Sequence, residues 1–176
     1  VQASDIVIES ARPRALEQLG LFAEEAVARS GLLWVSLTGY GRLDPPPGRV
    51  AFGDDAAVAA GLAEAVGRED GRPLFCGDAI ADPLGGLHAA LAAWGLWQRG
   101  ARGLVDLSLR DVAAHALHFA PGSSGSARVE GDPLDARVIV NDVAVPVAAP
   151  RARTPTRHAA TLGRDTPSVM DALASC

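Results

Sequence analysis

Three short apolar runs most constrain this chain: Asp-Ile-Val-Ile-Glu at 5–9, Leu-Leu-Trp-Val-Ser-Leu-Thr at 32–38 and Gly-Leu-Val-Asp-Leu-Ser-Leu at 103–109. Near-continuous β-branched and apolar runs of this kind suit strands covered on both faces, as in a parallel sheet. Between them lie stretches with helix signals. Pro13 suits the first turn of a helix that Gly20 closes, 22–29 is a second short helix, and 54–66 is an alanine-rich helix. The strongest helix signal spans 82–99, with Leu84, Leu87, Leu91 and Trp94 recurring at the helical period and Gly100 ending it. A further helix covers 111–119. Strand and helix in alternation predict an α/β layer fold with a parallel sheet.

Smaller features complete this reading. Residues 44–48 (Asp-Pro-Pro-Pro-Gly) form a surface loop, 67–72 a polar turn, and Leu74 and Phe75 the centre of a short strand. After Pro121 the character changes. Residues 122–126 (Gly-Ser-Ser-Gly-Ser) look like a linker, and 136–140 with 143–147 form a hairpin around Asn141-Asp142. The tail from Pro150 is extended and ends in a short helix near 168–173.

A length of 176 residues fits one domain able to bury a core without metal or disulfide staples. Net charge is −5, and no basic stripe is present for a phosphate backbone, so nucleic acid is not an expected partner. All sixteen basic residues are arginine, which removes lysine-based Schiff-base chemistry. Cys76 and Cys176 have no spacing that suggests a disulfide framework or a zinc site, and they are read as reduced. No signal peptide is read at the N-terminus, and the longest apolar stretch, 84–97, is too short to span a bilayer and contains His88. No membrane partner and a cytoplasmic location are therefore expected.

Asp82 is the first candidate for chemistry. It sits where the 82–99 helix begins, with Pro83 behind it, so it reads as an N-cap with Pro83 at N1. The same position suits a nucleophile. A helix N-terminus favours negative charge, and Gly77, Gly85 and Gly86 leave room for close approach. An activated acyl group can be attacked by such a carboxylate, giving a covalent intermediate. Asp78 lies four residues earlier and reads either as a turn residue or as the partner in a carboxylate pair. Arg12 and Arg14 read as solvated helix-start residues or as phosphate contacts. His88 is a packing or supporting residue on the same helix as Asp82. His115 and His118, at i and i+3, lack an evident third ligand, and no metal is expected.

Several segments, in order, resemble the family III CoA-transferases (CaiB/BaiF type). Residues 5–13 (Asp-Ile-Val-Ile-Glu-Ser-Ala-Arg-Pro) with 16–21 resemble the family's Arg-Pro and Leu-Gly-Leu stretch. Residues 34–41 (Trp-Val-Ser-Leu-Thr-Gly-Tyr-Gly) resemble its next strand and Gly-aromatic-Gly turn. Ala51-Phe52 and Ala59-Ala-Gly-Leu62 match the following helix, Ala81-Asp82 with 86–91 the segment of the catalytic aspartate, and 103–109 the strand after it. Pro146-Val147 and 162–173 resemble the family's C-terminus.

The resemblance implies a partial Rossmann-like parallel sheet with helices on both faces and an extended C-terminal arm. Residues 1–120 would be the catalytic α/β core of the large domain without its N-terminal part. Residues 121–176 would be linker, hairpin and tail, with the small domain essentially absent. It implies an acyl-CoA:carboxylate CoA-transferase in which Asp82 attacks the donor thioester, passing through a mixed anhydride and an aspartyl-CoA thioester. Coenzyme A is then a substrate, with no permanently bound cofactor, and Arg12, Pro13, Gly85, Gly86 and His88 are the candidate contacts to it. The partners are an acyl-CoA and a carboxylic acid, and a homodimer or a partner subunit supplies the missing segments.

Departures from the family pattern are Ser10-Ala11 in place of Asn-Phe, Phe52-Gly53 in place of Phe-Asp, and a shorter chain without the glycine-rich loop of the small domain. Two further readings stay open. An α-methylacyl-CoA racemase would need a histidine near Phe52, whereas the first histidine here is His88. The other is a non-catalytic truncated or split subunit.

Overall fold

The computed structural model describes residues 1, 4–43, 49–67, 72–119, 127–132, 135–149 and 151–175. The loop read at 44–48, most of the turn at 67–72, the linker at 122–126 and Cys176 lie outside the described residues. The chain divides into two compact units, Val1–Ala120 and Pro121–Cys176.

In the first unit, β1 (Ile6–Glu9), β2 (Leu33–Thr38) and β3 (Gly103–Ser108) form a parallel sheet in the order β1-β2-β3. Ile6 stands opposite Leu33, and Leu33 opposite Gly103. Successive strand side chains point to opposite faces, and both faces are covered. On one, Leu32 and Trp34 pack with Ala23, Ala26, Leu16 and Leu104, beneath α1 (Pro13–Gln18) and α2 (Ala23–Ser30). On the other, Leu33 and Val35 pack with Ala89, Ala93 and Trp97 of α5 (Ala81–Gln98). The central strand is therefore the most deeply buried, with Trp34, Val35 and Ser36 fully enclosed.

The alanine-rich stretch at 54–66 is two helices, α3 (Gly53–Ala59) and α4 (Leu62–Val66), rather than the one expected. Gly61 breaks it by turning left-handed, at φ 85°. The strand expected at Leu74 and Phe75 does not form: both side chains are exposed, and the Leu74 amide donates to the Ala63 carbonyl instead of to a strand. The last helix of the unit, α6 (Leu109–His118), is capped by Ser108, whose hydroxyl accepts from the Asp111 amide at 3.2 Å.

The largest difference concerns α5. The expected stripe does not face the core: Leu87, Leu91 and Trp94 are 69%, 72% and 61% exposed. Ala81, Gly85, Ala89 and Ala93, spaced by four, are buried instead. Small residues let the α5 backbone come close to its neighbours. A Cβ on Gly85 would collide with the Leu109 side chain. Since α5 is apolar all round, the period alone could not choose its inner face.

In the second unit, β4 (Arg128–Glu130), β5 (Arg137–Val140) and β6 (Val143–Pro146) form an antiparallel sheet in the order β4-β5-β6. The β5–β6 hairpin turns at Asn141 and Asp142, both left-handed (φ 49° and 63°), which suits these residue types. β4 is an addition to what the sequence indicated, and α7 (Thr166–Ala174) stands where the terminal helix was expected. Among the described residues no helix is long and apolar enough to cross a membrane.

Candidate functional site

A cavity of about 800 Å³ opens where β1 and β2 end. Its walls are the segment after β1 (Ser10, Ala11, Arg12, Pro13), the end of β2 and its turn (Thr38, Gly39, Gly41, Arg42), residues 49–52, Asp82 and Leu109. The carboxyl ends of parallel strands are where open α/β sheets bind ligands, because the connecting loops diverge there.

Asp82 is the second residue of α5, not its cap. The flanking position is Ile80, and no side chain caps this helix. The correction follows from packing: Ala81 is fully buried with Ala56, Ala57 and Ala113, so the helix is already wound at Ala81 and turns Asp82 outward. Among the described residues no hydrogen bond or ion pair is recorded to its carboxylate. The residue is exposed, and the start of the 18-residue α5 favours its charge.

The approach to Asp82 is tightly built. Its amide donates to the Ala79 carbonyl at 2.9 Å. Ala79 itself has φ 49°, which costs a residue with a Cβ about 1–2 kcal/mol. The Ala79 amide donates to Asp54 Oδ1 at 2.9 Å. Gly53 is packed beneath: a Cβ there would strike the Ala79 carbonyl and come within 2.8 Å of Asp82 Cγ.

A second network fixes the β2 turn. Glu9, 7% exposed, accepts from Trp34 Nε1 at 3.1 Å and from the Ser36 hydroxyl at 2.8 Å. Arg42 Nη1 lies 3.4 Å from the same carboxylate, and its Nη2 donates to Glu24 at 2.9 Å. The Arg42 amide donates to Asp106 at 2.9 Å and the Gly41 amide to Thr38 Oγ1 at 2.8 Å, tying the turn to β2 and β3. Hydrogen bonding to its own backbone amide holds the Glu24 carboxyl below its ordinary value; burial opposes this, and the hydrogen bond and charge of Arg42 add to the lowering. Arg49 stacks over the Tyr40 ring at 3.7 Å.

Of the residues singled out in the sequence, Arg12, Pro13 and Asp82 line one cavity, and Arg14 joins them. The others are elsewhere. Gly85 is buried against Leu109, and Gly86 is exposed on α5. His88 lines a separate cleft of about 280 Å³ with Asp106, Ser108, Asp111 and His115. There its Nδ1 is 2.8 Å from the Leu84 carbonyl and its ring meets His115 edge-on at 6.1 Å. Asp78 lines neither space. Among the described residues no group of three or more His, Cys, Asp or Glu is placed to hold a metal ion.

Sequence reasoning passed over Arg42, Arg49 and Asp54. A glutamate ending an apolar strand, as Glu9 does, was the available signal for Arg42, because a buried carboxylate requires a partner.

The model of the CoA-transferase family III matches residues 1–146. Over 90 residues the chain is 34% identical to the succinyl-CoA–D-citramalate CoA-transferase of Chloroflexus aurantiacus, covering 51% of this chain and 22% of that protein. Over 98 residues it is 35% identical to the succinyl-CoA:glutarate CoA-transferase of Mus musculus, covering 54% and 22%. Among solved structures, a CaiB/BaiF family protein from Brucella suis superposes with a TM-score of 0.62 at 21% identity, over 78% of this chain and 42% of that one. The likeness at that identity is one of fold. The matched segments span 22% of these two curated relatives, and less than half of that solved chain.

Proposed function

The chain belongs to CoA-transferase family III, and on that premise we propose that it carries the acyl-transfer centre of an acyl-CoA:carboxylate CoA-transferase, with Asp82 as the nucleophile. The observation that carries this reading is an exposed carboxylate, without a recorded partner among the described residues, on the wall of a large cavity that it shares with Arg12, Arg14, Arg42 and Arg49. A nucleophile must be ionised and accessible, and arginine forks suit the phosphates of coenzyme A.

The reaction runs in balanced halves. The Asp82 carboxylate attacks the donor thioester, giving a mixed anhydride and releasing the CoA thiolate. The thiolate returns to the Asp82 carbonyl, forming an aspartyl-CoA thioester and freeing the donor acid. An acceptor carboxylate then attacks that thioester and becomes the acyl partner of a second anhydride. The thiolate attacks its carbonyl, which restores Asp82 and yields the new acyl-CoA. No proton need be moved, and among the described residues no histidine lines the cavity. That favours transfer over a racemase, which requires a proton carrier.

Two relatives carry succinyl-CoA in their names, with a dicarboxylate as the other substrate, so succinyl-CoA is the first donor to test. Incubation with it, followed by hydroxylamine, is expected to leave a hydroxamate mass shift on the peptide containing Asp82. Absence of any adduct with succinyl-CoA and a panel of other acyl-CoAs would overturn the reading.

Residues 1–120 hold the proposed centre, and a second copy or a partner chain covers the outer face of α5. Leu87, Leu91 and Trp94 leave there an apolar stripe of a kind usually buried in an interface. Sedimentation at micromolar concentration is expected to show an assembly larger than one chain. A clean monomer, inactive or active, would contradict this.

A further inference from the structure

Ala79 holds a left-handed backbone, φ 49°, although it is not glycine. Such a residue persists only where its surroundings over-determine it, and such outliers gather at working sites. Here the surroundings come from α3. Asp54 Oδ1 accepts from the Ala79 amide at 2.9 Å, across 25 residues of sequence. The Ala79 carbonyl in turn accepts from the Asp82 amide at 2.9 Å. Gly53, beside Asp54, supplies the space: a side chain there would collide with the Ala79 carbonyl and approach Asp82 Cγ. α3 is itself anchored, since Ala56 and Ala57 are buried with Ala81.

Asp82 has no recorded side-chain partner among the described residues, so its own contacts do not set its direction. The backbone that enters α5 sets it, and among the described residues one side-chain hydrogen bond, from the Ala79 amide to Asp54, holds that backbone. We propose that Asp54 is the positioning residue of Asp82: through the Ala79 amide it locks the left-handed turn that aims the Asp82 carboxylate into the cavity. This rests on the reading of Asp82 as nucleophile. Asp54 touches no reacting atom and serves only as an acceptor, so its charge is dispensable while its oxygen is not.

Three forms decide the matter: wild type, Asp54→Asn and Asp54→Ala. Each is assayed for the rate of hydroxylamine-trapped acylation of Asp82 by succinyl-CoA, and for hydrogen exchange of the peptide spanning 77–82. Asparagine still offers an oxygen to the Ala79 amide. Asp54→Asn is therefore expected to keep the saturating acylation rate within about threefold, and Asp54→Ala to lose roughly 10–100-fold, the scale of a misplaced reacting group. The concentration for half-saturation is expected to move by less than about twofold in both, because the arginines that line the cavity are untouched. Exchange at the Ala79 amide is expected to rise in Asp54→Ala alone.

Equal rates in wild type and Asp54→Ala would overturn the proposal. So would Asp54→Asn as slow as Asp54→Ala, or a loss confined to half-saturation. If wild type forms no adduct with succinyl-CoA or with any acyl-CoA of the panel, the transferase reading falls, and exchange decides the turn by itself. Unchanged protection in Asp54→Ala would then overturn the lock as well.

Discussion

Asp82→Asn is expected to reduce CoA transfer by roughly 10⁴-fold or more, the scale seen when a covalent nucleophile is removed, while leaving stability almost unchanged. The first half follows from the proposed mechanism, because an amide cannot form the anhydride. The second follows from the geometry. Asp82 occupies the second position of α5, is exposed, and caps nothing. An N-cap role would instead have made Asp82→Ala cost about 0.5–2 kcal/mol. With that role absent, both Asp82→Asn and Asp82→Ala are expected to stay within about 0.5 kcal/mol of wild type. Steady-state transfer assays and urea denaturation measure the two effects separately. A variant that is stable and still transfers CoA at a tenth of the wild-type rate would exclude Asp82 as the nucleophile.

Glu9→Ala is the expected large stability effect, at about 3–5 kcal/mol. Glu9 is the common acceptor for Trp34 Nε1 and the Ser36 hydroxyl and the ion-pair partner of Arg42, whose side chain is 9% exposed. Removing the carboxylate leaves two buried donors unpaired and Arg42 with Glu24 as its remaining ion-pair partner, beside its hydrogen bond to the Ser36 hydroxyl. Arg42→Ala has the converse defect, since Glu9 keeps Trp34 and Ser36 but loses its positive partner. The double variant is expected to cost less than the two singles together, with a coupling of about 1–3 kcal/mol. Urea denaturation of all four proteins measures it. Strict additivity would show that the pair does not act as a unit. Because Arg42 also lines the cavity, binding is expected to suffer alongside stability in the single variants.

The parts of this fold that could be read from the sequence are those set by local pattern. The three strand runs lie in one parallel sheet, because their apolar continuity demands cover on both faces. Asn141-Asp142 turns the hairpin because these residues accept left-handed backbone. What could not be read depends on partners distant in sequence. The inner face of α5 was decided by how closely Gly85 and Ala89 can approach Leu109 and β2, which no periodicity reports. Gly61 lies inside the stretch read as one helix and instead separates α3 from α4. At the site, Arg12 and Asp82 were found through their motifs and meet at one cavity. His88 was drawn in by its place in the 86–91 segment on the same helix as Asp82, and the helix carries it to a different cleft. Asp54 gave no signal at all, because its significance lies in a hydrogen bond to Ala79 that exists only once α3 and α5 have docked.

The strand order β1-β2-β3 has a consequence for when the cavity comes into being. β1 and β2 are close in sequence and can pair early, but β2 finds its other neighbour only across the register Leu33↔Gly103. Closing so long a segment is entropically slow, and parallel pairing of this kind places a domain among the slower folders. The cavity gathers Arg12, Thr38, Phe52, Asp82 and Leu109, and the last of these directly follows β3. A growing chain released from the ribosome up to α5 would therefore leave one edge of β2 unpaired, with no β3 to complete the sheet. Any ligand of this cavity would recognise only the finished unit, so it would act on the last step of folding and leave earlier intermediates to chaperones.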